Sequence, residues 1–282
     1  MLRSTIAVLK QSFQLFSANR AASRGAAVAF YAVTSMAPVL LMVIAVAGLV
    51  LGREAASGAL FSQFRGLLGT QGADFLQRAV ANASGNSGNI AAAAISIVTL
   101  IATASGVFLE LEDALNAMWQ ARPEGGFVEI AAARLTSLGL VIALGFLLLV
   151  SLVVDAALQS LRAVINSYVP FGNAILLAIS FVIVLGLMTL VFAAIFRYLP
   201  ARRLPWRDLF AGGFITALLF EIGKFLIGIY LGSRTANTSL GAAGALLGIF
   251  VWVYYSAQLL LFGAALTMAR FEQRTAKGAK AP

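Results

Sequence analysis

Residues 173–196 read NAILLAISFVIVLGLMTLVFAAIF, a run of 24 residues without a charged side chain. As an α-helix this run would be about 36 Å long, which is enough to cross about 30 Å of hydrocarbon. Strands of an outer-membrane barrel would instead show about ten residues of alternating polarity. We therefore predict an all-α, polytopic membrane protein with six transmembrane helices. The six apolar stretches are residues 26–51, 90–109, 135–155, 173–196, 209–231 and 241–268.

The composition of the 282-residue chain agrees with this class, because 61% of the residues are hydrophobic and 11% are charged. A soluble domain would carry about 25% charged residues. The chain has no cysteine and no histidine, which excludes disulfides, thiolate chemistry and imidazole ligands. Glu110, Glu112 and Asp113 are crowded, but no second acidic cluster accompanies them to complete a metal cage. We expect no cofactor, no metal and no enzymatic activity.

Lysine and arginine are distributed unevenly between the predicted inner and outer segments. If the N-terminus is cytoplasmic, the inner segments hold four, two, four and four basic residues, which makes 14, and the outer segments hold five. The positive-inside rule therefore places both termini in the cytoplasm. The net charge of +9 is mainly a topology signal, with attraction to anionic lipids as a second effect. It does not predict binding to nucleic acid.

Three regions lie outside the predicted transmembrane domain or form its one large loop. Residues 1–24 alternate apolar and polar side chains at helical spacing, which predicts an amphipathic helix in the cytoplasmic interface. Residues 52–89 form an outer loop with helical pieces around 57–82. The basic residues 271–282 are predicted to be a disordered tail. The domain between these ends covers residues 25–270.

The fifth span carries two charges near its middle, Glu221 and Lys224. Each charge would cost about 2.5–3.5 kcal/mol on the insertion scale if it were unpaired, which nearly cancels the contribution of the apolar residues. At 100° per residue the small and charged side chains fall on one arc of the helix, and the bulky ones point away. The first set is Gly213, Ala217, Glu221, Lys224 and Gly228. Two interpretations are equally open: a structural ion pair, or a polar step in a transport path.

Two further spans carry polar stripes. In the second span the stripe contains Thr99 and Thr103 and ends in Glu110 and Asp113, which predicts either a packing seam or a polar vestibule. In the first span four residues share one face: Tyr31, Thr34, Ser35 and Pro38. Because proline lacks an N–H, it releases one carbonyl and favours a kink. Such bends line ligand sites in some transporters and serve packing alone in other proteins.

The sixth span begins with small residues at helical spacing, Gly241, Gly244 and Gly248. Small residues let two helix backbones approach closely, so we predict helix packing here, with a homo-oligomer as the alternative. Gly213 and Gly228 of the fifth span are assigned the same role. Membrane lipids are the expected surroundings of all these faces.

Several short segments resemble the YihY/BrkB family of bacterial inner-membrane proteins. The segments are FYAVTSMAP at residues 30–38, LNAMW at 115–119, Leu199-Pro200, Pro205-Trp206-Arg207, Tyr230, Gly241, Gly244 and Gly263-Ala264. The resemblance implies a multi-pass protein of the cytoplasmic membrane. Family members have been labelled ribonuclease BN, linked to serum resistance, and proposed as transporters of lipid or envelope precursors. The family often has an acidic residue where this chain has Ala265.

These observations favour a transporter or flippase whose cargo is an anionic lipid or an envelope precursor. A cation or proton antiporter is the nearest variant. A membrane protein that binds a partner or has only a structural role is the alternative from another class. Ribonuclease activity is disfavoured, because Glu110, Glu112 and Asp113 are the one acidic cluster that the cytoplasmic segments offer for acid–base or metal chemistry.

Overall fold

The computed structural model of the chain describes residues 2–84, 106–121, 172–235 and 241–278. These residues are helical apart from short connections, and no strand occurs among them. The helices are α1 (Leu2–Ala18), α2 (Ala21–Leu51), α3 (Arg53–Ser84), α4 (residues 106–118), α5 (Gly172–Tyr198), α6 (Trp206–Thr235) and α7 (Gly241–Gly278). The all-α prediction is confirmed for this part of the chain.

Three stretches of the described residues are long and apolar enough to cross a membrane: Ala178–Tyr198, Trp206–Leu226 and Leu246–Ala276. They correspond to the fourth, fifth and sixth predicted spans. The first predicted span lies within α2, and its crossing of the membrane stays a prediction. The third span, nearly all of the second, and Thr99 and Thr103 lie outside the described residues.

The described residues belong to two compact units. Unit 1 comprises Met1–Leu15, Leu115–Leu219 and Gly263–Pro282, and unit 2 comprises Phe16–Ala114 and Phe220–Phe262. In unit 1 the ring of Trp119 is fully buried and lies 6.2 Å from the ring of Phe196, centroid to centroid. Unit 2 has its own buried apolar cluster, formed by Leu40, Ile44, Phe61, Leu76, Val80 and Ile249.

Helix ends follow from local backbone chemistry. Gly52 separates α2 from α3 with φ 82°, a conformation that only glycine adopts without strain, and its N–H donates to Gly48 O at 3.0 Å. Gln120 adopts φ 51° after α4, and the N–H of Ala121 donates to Asn116 O at 2.9 Å. This pattern is the Schellman motif, which satisfies the last carbonyls of a helix.

The N-terminal region differs in its boundary from the prediction. The amphipathic helix was expected over residues 1–24, whereas α1 ends at Ala18 and Arg20 adopts a left-handed conformation with φ 53°. The predicted apolar face of α1 is uncovered, since Ile6, Leu9 and Phe13 are 59%, 46% and 66% exposed. An uncovered apolar face is what a helix lying in a membrane interface requires.

The prediction of a disordered tail from residue 271 is wrong for residues 271–278, which continue α7. The reason is a set of contacts within unit 1 that composition does not reveal. Gln11 donates to the carboxylate of Glu272, and Arg274 lies 3.1 Å from the carboxylate of Asp208. The guanidinium of Arg202 stacks over the ring of Phe271 at 5.6 Å.

Helix α3 reverses direction within the predicted outer loop. A straight helix would separate Arg53 and Ala81 by about 42 Å, yet both line one cavity. Phe61 and Val80 likewise belong to the same apolar cluster. An ion pair of 3.5 Å between Arg65 and Asp74 lies between the two arms. The loop is therefore a helical hairpin packed against α2.

Candidate functional site

The charge pair of α6 is formed in the structure. Nζ of Lys224 lies 2.6 Å from Oε2 of Glu221, and the two residues are three positions apart on the same helix. The side chain of Glu221 is 11% exposed and that of Lys224 is 37% exposed. Oε1 of Glu221 is buried and has no hydrogen-bond partner among the described residues. One oxygen of the carboxylate therefore contacts Lys224, and the other has no hydrogen-bond partner among the described residues.

Bulky side chains of α6 are exposed next to its small and charged arc: Phe214, Leu218, Ile222 and Phe225. In unit 1 Gly213 and Ala217 are buried, and a Cβ on Gly213 would lie 2.8 Å from Thr189 O of α5. In unit 2 the aromatic ring of Tyr255 lies against Gly223, one position from Lys224. The small residues of α6 thus pack against neighbouring side chains and backbone, and the bulky ones are exposed.

The polar residues of the first predicted span satisfy their hydrogen bonds inside α2. Thr34 Oγ1 donates to the carbonyls of Phe30 and Tyr31, both at 2.9 Å, and Ser35 Oγ donates to Ala32 O at 3.2 Å. Ser35 is buried, whereas Thr34 is exposed. Helix α2 continues through Pro38 without interruption. These two hydroxyls therefore bond to the backbone of their own helix.

At Gly106, near the end of the second predicted span, α4 lies against α2. A Cβ on Gly106 would lie 2.8 Å from the ring of Tyr31, so α2 and α4 approach closely at this point of unit 2. Glu110 lies one helical turn further along the same face of α4, and Asp113 is exposed. No hydrogen bond or ion pair among the described residues joins Tyr31, Thr34 or Ser35 to the pair of α6.

Burial raises the pKa of the Glu112 carboxyl above its ordinary value of 4.5, and the charge of Asp113 raises it further. Glu112 follows the predicted second span and lies outside it. Since the folded chain holds this proton more tightly than the unfolded chain does, the fold loses stability as the pH rises from 4.5 through the raised pKa, and the loss stays constant above it. Below 4.5 both states are protonated and this cost disappears.

We expect Glu112→Gln to raise the free energy of unfolding at pH 8 and to leave it unchanged near pH 4. Thermal unfolding in detergent at the two pH values measures the difference. Asp113→Asn should reproduce part of the gain, because it removes the second cause of the shift. An equal gain from Glu112→Gln at both pH values would contradict this account.

Several polar contacts of unit 1 were not predicted from the sequence. The indole N–H of Trp119 donates to Ala264 O at 3.1 Å, and Asn116 Oδ1 accepts from the N–H of Ala201 at 2.8 Å. Arg197 donates to Leu204 O at 2.9 Å and stacks over Trp206 at 5.5 Å. The bond between Asn116 and Ala201 joins the 115–119 segment to the loop that precedes α6, and the bond of Trp119 joins the same segment to α7.

A second feature missed from the sequence is a reciprocal glycine and threonine contact between α6 and α7 in unit 1. A Cβ on Gly212 would lie 1.8 Å from Thr267 Oγ1, and a Cβ on Gly263 would lie 1.9 Å from Thr216 Oγ1. Each threonine donates to the glycine carbonyl of its own helix, at 2.8 Å and 2.7 Å. The sequence does carry a signal for this contact. In both spans a glycine is followed four positions later by a threonine.

For the predicted packing glycines of α7, the structure gives burial and position in the helix. Gly244 and Gly248 are half-buried, and Gly241 is the first residue of α7. Gly228 is a helical residue of α6. Ala265, where the family resemblance implies an acidic residue, is fully buried. The pair of Glu221 and Lys224 lies at the middle of α6, whereas the ion pair of Asp208 and Arg274 joins the start of α6 to the end of α7.

Apolar helices of membrane-spanning length, an uncovered lipid-facing surface and a charge pair inside one span define an integral helical membrane protein. Comparison with known families agrees with this class. The chain belongs to the Virulence factor BrkB family, whose model matches residues 12–282.

Individual relatives of the chain are also named as membrane proteins. The chain is 29% identical over 208 residues to the UPF0761 membrane protein YihY of Salmonella typhimurium, covering 73% of this chain and 68% of that protein. It is also 29% identical over 175 residues to the UPF0761 membrane protein RSc1559 of Ralstonia nicotianae, covering 61% of this chain and 38% of the relative. The match therefore spans well under half of the Ralstonia protein. No solved structure matches the chain.

Proposed function

We propose that this protein is a transporter or flippase of the bacterial inner membrane that moves an anionic lipid or envelope precursor. The observation that carries the proposal is the charge pair in the middle of α6, within the apolar stretch Trp206–Leu226. A pair of charges in a membrane helix is costly and commonly marks a substrate or proton path.

The geometry supports an exchange of partners at Lys224. Its side chain is 37% exposed although its ammonium contacts Glu221, so an anionic headgroup could approach from the accessible side. Glu221 would then lose its counter-ion to the headgroup. Its Oε1, which has no hydrogen-bond partner among the described residues, leaves the carboxylate free to accept a hydrogen bond from the cargo.

The proposal includes a multi-pass arrangement of six spans with both termini in the cytoplasm. The basic residues support this arrangement, because the inner segments would hold 14 of them and the outer segments five. Basic cytoplasmic rims would also attract anionic headgroups.

A structural or partner-binding membrane protein is the second candidate. One specific observation favours it: the ion pair closes within a single turn of one helix and needs no substrate to be satisfied. In that case Glu221 and Lys224 would serve insertion and folding alone.

Lipid movement in reconstituted vesicles distinguishes the two candidates. The full chain is placed in proteoliposomes that contain a fluorescent anionic lipid, and dithionite quenching measures its movement between leaflets. We expect Lys224→Met and Glu221→Gln to reduce the movement to the level of protein-free vesicles. The matched control is Arg78→Gln, which removes an exposed charge of α3.

Full movement in the Glu221 and Lys224 variants would reject the proposed site. Movement of a cation or proton in place of lipid, with the same dependence on Glu221, would indicate the antiporter variant. Absence of any movement by a correctly folded wild-type protein would favour the structural candidate.

A further inference from the structure

The α3 hairpin and the end of α2 enclose a cavity of about 690 Å³ in unit 2. This volume lies within the range of small-ligand sites. The cavity is distinct from the pair of α6, none of whose residues line it. Among the described residues its lining is Leu41, Ile44, Arg53, Glu54, Ser57, Gly58, Phe61, Ser62, Arg65, Gln77, Val80 and Ala81.

The lining divides into an apolar floor and a polar rim. Ile44, Phe61 and Val80 of the floor are buried, with 4%, 5% and 7% of their surfaces exposed. Arg53 and Glu54 of the rim are exposed. An apolar floor beneath polar groups fits a molecule that has both a hydrocarbon part and a polar head.

The rim of the cavity carries charges of both signs. Arg53, Arg65 and Glu54 line it and Asp74 lies 3.5 Å from Arg65, so these four side chains have no net charge. Arg65 is held by Asp74, whereas Arg53 at the start of α3 makes no ion pair among the described residues and is the cation open to a negative head. Arginine binds phosphate oxygens through two parallel N–H groups, which makes it well suited to a phospholipid headgroup.

We propose that this cavity binds an anionic phospholipid, with the headgroup at Arg53 and the upper part of an acyl chain over Phe61 and Val80. The cavity follows the first predicted span, so the predicted topology places it at the outer leaflet. The site stands apart from the transport proposal, because it requires equilibrium binding and no movement of lipid.

Gly58 provides a way to close the cavity without disturbing the fold. It lines the cavity, and a Cβ added to it would meet no atom within 4 Å. The side chain of Gly58→Phe can therefore enter the space that the lipid would occupy. Gly186 of α5 is the matched control, because a Cβ there also meets no atom within 4 Å and the residue lies in another part of the chain.

The experiment measures binding of fluorescent phosphatidylglycerol and of phosphatidylethanolamine with the same chains to the full-length protein in detergent. We expect wild type to bind the anionic lipid about tenfold more tightly. Gly58→Phe should weaken binding of both lipids, whereas Gly186→Phe should bind as wild type does. Arg53→Gln should remove the preference for the anionic lipid, whereas Arg78→Gln, an exposed arginine of α3 outside the lining, should retain it.

Thermal unfolding of each variant verifies that the hairpin is intact. Equal binding of both lipids by wild type would overturn the proposal, and so would an equal loss of preference in Arg53→Gln and Arg78→Gln. Complete competition by inorganic phosphate would overturn it as well, since the site would then bind a free anion. Binding that persists when leaflet movement fails would reject the transport proposal and leave this one standing.

Discussion

Gly212→Ala is expected to lower the free energy of unfolding by about 1–3 kcal/mol, as overpacked cores do. The added Cβ would lie 1.8 Å from Oγ1 and 2.8 Å from Cβ of Thr267. Thr267 is fully buried and donates to Gly263 O, so it cannot move aside without losing that hydrogen bond. Gly263→Ala should cost a similar amount, because it meets Thr216 in the same way. A leucine at either position should prevent accumulation of the folded protein.

The check is unfolding in detergent, with Gly186→Ala as the matched control. A Cβ on Gly186 meets no atom within 4 Å, and alanine is the better helix former by about 1 kcal/mol, so this variant should be as stable as wild type or more stable. Adding Thr267→Ala to Gly212→Ala should recover part of the loss, because Oγ1 is removed while Cβ stays. Equal stability of Gly212→Ala and Gly186→Ala would contradict the close helix crossing.

Lys224→Met is expected to destabilise the fold more than Glu221→Gln does. Lysine removal leaves a carboxylate that is 11% exposed without its counter-ion, whereas glutamate removal leaves a lysine that is 37% exposed and whose long, flexible stem lets the ammonium extend toward the membrane interface. We expect a cost of about 1–3 kcal/mol for Lys224→Met, below the 3–5 kcal/mol of fully buried pairs because this pair is partly accessible. Unfolding in detergent measures both variants.

The double variant Glu221→Leu with Lys224→Leu tests whether the fold needs the ion pair for its stability. It removes both charges from the apolar span together, so its stability should equal or exceed that of wild type. Under the transport proposal it should fold well and still move no lipid. If the double variant is less stable than Lys224→Met, the two side chains make further contacts that the ion pair does not explain.

Hydropathy and helical spacing predicted the parts of the fold that depend on one helix at a time. The charge-free run 173–196 and the charged run 209–231 both lie in helices of membrane-spanning composition. The spacing of Glu221 and Lys224 predicted their contact, and the bulky face of α6 is exposed as expected. These features follow from the 100° step of the helix and need no knowledge of its neighbours.

Features that depend on two helices were not predicted. Nothing in residues 52–89 alone indicates that Phe61 and Val80 meet, because the reversal of α3 is set by packing against α2. The helical continuation through residue 278 depends on Asp208 and Gln11, which are remote in sequence. Trp119 was recognised only as part of a motif, and its donor role toward Ala264 depends on a distant backbone carbonyl.

The helices near the two ends of the chain are tied to each other in unit 1. Gln11 of α1 donates to Glu272 and accepts from Gln273 at 3.3 Å, so α1 and the last turns of α7 meet. Removal of α1 would therefore take two hydrogen bonds from the end of α7 and leave it with the contacts of Arg274 with Asp208 and of Phe271 with Arg202.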